Sequence, residues 1–237
     1  MPWDFVAILL VLAVAIPWRG RVRVRRLMTQ ATVTPLERLT LYASTIAFQW
    51  VAVAIVGWRA WARSLSPAAL GLPITDPGRT VAAAILLTGL LLGVQVIGLR
   101  QAARLSPEKR GYVQFLAAKL LPQNGVERLA FAVLATTVGV CEEFLYRGFV
   151  FAALSGLTSS GRILGFFGSA LLFGLAHLYQ GKKGIASTFV AGLLFAGARL
   201  FAGNLAPGIV AHTAVDLTAG LLAPRLLKVR EEAPVVT

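Results

Sequence analysis

"LAFAVLATTVGVCEEFLYRGFVFAAL", residues Leu129–Leu154, is a 26-residue apolar run with three charges near its middle: Glu142, Glu143 and Arg147. Its length and composition are those of a helix that crosses a bilayer, which takes about 20 predominantly apolar residues. Charge in such a run is costly. Intramembrane ionisable residues face the bundle interior or a water-filled cavity and mark function by default. The run therefore sets two expectations: a membrane-spanning helix bundle, and a polar site inside it.

The rest of the chain agrees. Of 237 residues, 57% are hydrophobic and 14% charged, and the mean hydropathy is +0.74. Soluble domains carry about 25% charge. Further apolar windows at Trp3–Trp18, Leu39–Gly57, Val81–Leu99, Ile163–Leu178, Gly184–Phe201 and Pro207–Ala223 bring the expected count to about seven spans, within six to eight. The fold class is all-α: a polytopic transmembrane helix bundle, since backbone polar groups in lipid must be satisfied within the segment. The spacing predicts a short first span with a basic end, "RGRVRVRR", and a fourth span broken at its charged motif. "YVQFLAAKLL", in the polar connection between the third and fourth spans, predicts an interfacial amphipathic helix. "LSPAALGLPITDPGR" reads as an outer loop, and "VREEAPVVT" as a frayed tail. The organisation expected is 1–107 as transmembrane helices without motifs, 108–223 as the core carrying the motifs, and 224–237 as a short charged tail, all in one integral membrane unit.

The formal net charge of +13 would point to nucleic acid in a soluble protein, but no nucleic-acid motif is present. With the N-terminus outside, 17 of the 23 Lys and Arg fall in cytoplasmic segments and four outside, with Arg147 and Arg199 inside spans. That split fits the positive-inside rule, places the C-terminus in the cytoplasm, and leaves basic loops against anionic lipid. Cys141 is the one cysteine and reads as a small buried hydrophobe. The Arg/Ala/Leu/Gly-rich composition is that of a GC-rich prokaryote, which makes the expected location a prokaryotic cell membrane.

Within the spans the ionisable residues are Glu142, Glu143, Arg147, His177, Arg199, His212 and Asp216, and both histidines of the chain are among them. On a helix Glu143 and Arg147 share a face, while Glu142 points about 100° away from Glu143. Arg147 then neutralises Glu143 as a brace, a pair that a purely structural ion bridge would also explain. Glu142 is left without a local cation, which suits a general base. His212 and Asp216 repeat the four-residue spacing, so Asp216 is placed to accept the His212 ring N–H. Phe173 lies one turn before His177, under its imidazole. Arg199 is expected to snorkel outward or pair with a carboxylate. Depth puts Glu142 ~24 Å and His177 ~22 Å from the turn that joins their helices, so the two meet. His212 is only five residues after Pro207, ~8 Å from its turn, and reaches them only if "AGNLAP" is recessed within the bundle or the spans tilt strongly.

Glu142-Glu143-x-x-x-Arg147, Phe173-x-x-x-His177 and His212-x-x-x-Asp216, in this order, resemble the motifs of the CAAX prenyl protease and bacteriocin-processing family, also called the ABI family of intramembrane endopeptidases. The resemblance covers about residues 108 to 223. "LYRGF" after the glutamates also looks like the family's continuation, whereas Asp216 stands where the family often has Asn. The resemblance implies peptide-bond hydrolysis with Glu142, His177 and His212 as catalytic residues and Glu143, Arg147, Asp216 and Phe173 in support. The substrate it implies is a protein or peptide, lipidated ones included, whose scissile bond reaches the membrane interface. A carboxylate and two imidazoles, here Glu142, His177 and His212, also form a Zn-type ligand set. The lack of an H-E-x-x-H helix favours a metal-free glutamate mechanism over a divalent metal. Two other classes would use the same residues: a non-catalytic immunity or partner-binding protein on this scaffold, and a proton-coupled transporter. The transporter is disfavoured by the absence of paired broken helices in the two halves.

Overall fold

The computed structural model describes residues 1–227; the expected frayed tail lies outside the described residues. Among these, all regular structure is helical. Six helices are long and apolar enough to cross a membrane: α1 (Trp3–Thr29), α2 (Pro35–Ala62), α3 (Pro77–Ala103), α5 (Gly125–Ser155), α7 (Leu178–Ala202) and α8 (Ala206–Leu226). A shorter apolar helix, α6 (Gly161–Ala176), supplies a seventh. The amphipathic segment forms α4 (Tyr112–Leu120).

Local signals set the starts. Thr34 and Glu37 form a capping box at the head of α2, and Asp76 and Asn124 accept the third backbone N–H of α3 and α5. Each satisfies an otherwise orphaned donor. Pro35 and Pro77 occupy first helical positions, where a missing N–H costs nothing. Gly203, at φ +75°, ends α7 in the left-handed conformation that glycine adopts without strain.

Helix α5 is central: 44% of its apolar window is buried inside the protein, against 11% for α2 and for α3. It packs against α2, α6 and α8, while α8 also lies along α3 and α6 along α7. The main core gathers Phe5, Leu12, Leu145, Phe149, Phe173 and Phe195. Outside it, Trp50, Val51, Ile55 and Trp58 of α2 and Ile85, Leu86, Leu90 and Val94 of α3 are exposed. In water such a surface would be an aggregation patch, whereas in lipid it is the expected outer face.

Three expectations need correction. The first span is not short, because α1 continues through the basic stretch to Thr29. Two of that stretch's arginines have partners on α2. Arg23 donates to Ser44 Oγ at 2.6 Å and Thr45 Oγ1 at 3.2 Å, and Arg19 lies over the Phe48 ring. The fourth span is not broken at its motif. It is widened, with Glu143–Val150 forming a π-helical segment inside a continuous helix. Such insertions preserve the helix while re-aiming its side chains, and they occur often at functional sites. The third correction concerns the end of the last span, expected at Ala223: α8 runs to Leu226, so Pro224, Arg225 and Leu226 are helical.

A buried clamp invisible in the motif search ties α4 to the bundle. Arg38 of α2 meets both carboxylate oxygens of Glu127 of α5, at 2.9 and 3.1 Å. Arg38 also donates to the carbonyls of Ala118 and Lys119, and Tyr42 donates to that of Leu120. With Gln123 N–H on Glu127 as well, the pair's hydrogen-bonding capacity is used. That condition is what makes a buried ion pair tolerable.

The loop between α2 and α3 folds in against the bundle. Leu70 is buried, and its carbonyl lies 3.3 Å from where a Cβ on Gly148 of α5 would sit. The carbonyl of Ala69 accepts from Arg199 Nη2 at 2.5 Å, and that of Gly71 from Leu205 N at 2.9 Å. Among the described residues Arg199 thus has no carboxylate partner, and it turns into the protein rather than outward. It binds this loop and stacks on Phe151, 3.9 Å from the ring centroid. Beneath the loop, Asn204 is 1% exposed and bonds Thr80 Oγ1, the Ala202 carbonyl and Ala206 N. The "AGNLAP" turn is therefore recessed, and α8 starts inside the bundle.

Candidate active site

The recessed start carries His212 to the middle of α5. His212 Nδ1 lies 3.2 Å from Glu143 Oε1, across 69 residues of sequence. The approach needs Gly208, one turn earlier on α8, because a Cβ there would lie 2.6 Å from Glu143 Oε2. Glu143 also pairs with Arg147 Nη1 at 3.1 Å, and both are almost fully buried. The predicted brace is present and has a second task, anchoring His212. Asp216, the expected partner of that ring, stands 3.8 Å from Nε2, outside hydrogen-bond range. Glu143 is the nearer carboxylate because the recessed turn presses the first turns of α8 against α5.

The Arg147 guanidinium has one ion-pair partner and two aromatic faces. Its carbon lies 4.1 Å from the Phe173 centroid and 4.8 Å from that of Phe195. Burial makes such cation–π contacts stronger than at a surface. Phe173 is the hub of the aromatic packing. It meets Tyr146, His177, Phe195 and His212 edge-on, and Phe195 stacks on the His212 ring at 5.2 Å. The expected contact of Phe173 under His177 is present, with a centroid separation of 4.7 Å. Sequence reasoning passed over Phe195 and Tyr146, since an aromatic in an apolar span carries no signal of its own.

Glu142 makes no ion pair among the described residues. Its Oε1 accepts a hydrogen bond from Gln49 Nε2 of α2 at 2.9 Å, and its Oε2 is buried without a partner. His177 sits at the end of α6 with Nδ1 2.8 Å from the Phe173 carbonyl. A carbonyl only accepts, so Nδ1 carries the proton and Nε2 is left as an acceptor. Glu142, His177, His212 and Asp216 line one cavity of about 390 Å³. Gln49 and Tyr146 line it too, and Arg19 and Arg23 stand at its basic end. Glu143, Arg147 and Phe173 are buried outside its wall. The residues with acid–base capacity thus face the cavity, and the bracing residues sit behind them.

Among the described residues, no three His, Cys, Asp or Glu side chains stand close enough together to share a metal ion. Glu142, His177 and His212 in this arrangement do not make the three-ligand set that a catalytic zinc uses. No step below is routed through a metal.

Fold and site are those of a multi-pass helical protein with a cavity lined by carboxylates and histidines. Residues 124–218 match the family model described as Rce1-like: Type II CAAX prenyl endopeptidase Rce1-like. This stretch, from the cap of α5 to just past Asp216, contains all three motifs, and the match agrees with the resemblance read from them. Comparison with curated proteins and with solved structures gave no match.

Proposed function

We propose that the protein is an intramembrane endopeptidase that cleaves a membrane-associated protein or peptide with a water activated by Glu142. The observation that carries the reading is the convergence of Glu142, His177 and His212, from three separate helices, on one cavity. Water has two protons to donate. One makes a hydrogen bond to Glu142 Oε2, the oxygen without a partner, and the other a hydrogen bond to His177 Nε2. This leaves a lone pair for the scissile carbonyl. As the C–O bond forms, Glu142 takes the water's proton, and it returns it to the departing amine as the C–N bond breaks. His212, held at Nδ1 by Glu143, supplies through Nε2–H, when protonated there, a donor for the oxyanion.

Substrate enters from the membrane interface at the basic end of the cavity, which the charge bias of the loops assigns to the cytoplasm. The matched family description makes prenylated C-terminal CAAX segments the first substrates to try. The test is quantitative proteomics of the membrane fraction with wild type and Glu142→Ala expressed in turn. Peptidase function predicts one or more membrane-associated proteins accumulating uncut in Glu142→Ala. Identical profiles, with both proteins present at equal levels, would favour the non-catalytic reading.

A further inference from the structure

Gln49 is a polar amide near the middle of α2, about 20 Å along the helix from either end. Phe48, Trp50, Val51 and Ala52 surround it in sequence. An amide at that depth of an apolar helix needs a partner, since an unsatisfied one costs several kcal/mol in lipid. Its partner is Glu142: Nε2 donates to Oε1 at 2.9 Å across 93 residues, and both side chains line the same cavity. Glu142 is the carboxylate that the cationic Arg147 does not hold, as Arg147 pairs with Glu143. The other oxygen of Glu142 has no partner. The amide therefore fixes which oxygen is occupied and which is free. Gln49 also lies outside the stretch that matches the family model, residues 124–218.

We propose that Gln49 is a positioning residue: it holds the Glu142 carboxylate by one oxygen so that the other is presented to the attacking water. The peptidase core is thereby completed by a helix from the motif-free part of the chain. This inference rests on the peptidase reading for its kinetic consequence, but the contact itself does not. A plain interhelical hydrogen bond, the bland alternative, would tie α2 to α5 without changing the chemistry.

Gln49→Met keeps the side-chain length, removes the donor and is at home in lipid, so the full-length chain in nanodiscs can be compared directly. Two measurements are made. The first is the Glu142 carboxyl band, from infrared difference spectra between each protein and its Glu142→Gln counterpart, together with the melting temperature. The second is kcat and KM on a quenched-fluorescent farnesylated peptide ending in a CAAX sequence. Expected are a displaced Glu142 band, an unchanged melting temperature, and a kcat lowered about 10–100-fold, the usual effect of losing an orienting partner, with KM within about twofold. An unmoved band, or a kcat equal to wild type, overturns the proposal. A lowered melting temperature with an unmoved band shows a scaffold role instead. If wild type itself does not cleave the peptide while the band moves, the positioning contact stands and the failure belongs to the choice of substrate or to the peptidase reading.

Discussion

Glu142 and Glu143 are neighbours with different surroundings, and their substitutions should separate. Glu142 meets one amide and has a free oxygen. Glu142→Gln is expected to lower kcat by about 10²–10⁴, the range of a general base, without loss of stability. Glu143 meets Arg147 and His212, so Glu143→Gln should act mainly on stability while a glutamine oxygen still accepts from His212. A turnover assay beside a thermal melt would read both, and the opposite pattern would exchange the two roles. Arg147→Met strands the Glu143 charge in the interior, and breaking a buried pair costs about 3–5 kcal/mol. The double variant Glu143→Gln/Arg147→Met should regain much of that loss, which a double-mutant cycle on melting free energies would measure. If the single and double variants melt alike, the ion pair is not what holds this part of α5.

At the scale of helices, the meeting of α5 and α8 is decided by a glycine and a π-helical segment. Gly208 allows the Glu143 carboxylate to lie against the α8 backbone. The contacting atom is the end of a side chain, but it is fixed from two sides by Arg147 and His212 and cannot swing away freely. Gly208→Ala is expected to cost about 1–3 kcal/mol, as overpacking does, and to lower activity by displacing His212. A wild-type melt together with wild-type turnover would show that the approach has slack. The motif spacing alone gave the Glu143–Arg147 pair, because four residues on a helix share a face. It did not give the π-helical widening over Glu143–Val150, which has no sequence signature of its own. Nor did it give the second partner of Glu143, since that contact depends on where α8, which begins at Ala206, starts within the bundle.

For the whole molecule, charge sets the arrangement in the bilayer. The loop charges predict the α2–α3 loop outside and the α3–α4 connection in the cytoplasm. With Cys141→Ala as background, Ser66→Cys should react with a membrane-impermeant maleimide on intact cells. Ser106→Cys should react only after permeabilisation. The reverse labelling would invert the orientation and put the basic mouth of the cavity on the outer face.

The sequence by itself determined the class of the protein, because the bilayer leaves few options: long apolar runs must be helices. It also brought out Glu142, Glu143, Arg147, His177, His212 and Asp216, because charge and imidazole are conspicuous among Ala, Leu and Val. Only the tertiary structure decided how His212 joins them. The loop that folds in over Asn204 and Leu205 lets α8 start inside the bundle, and nothing in the apolar pattern of α8 announces its depth. The same holds for Gln49 and Phe195. A glutamine or a phenylalanine in a span acquires a role only from the neighbour that packing brings to it, and here those neighbours are Glu142 and His212.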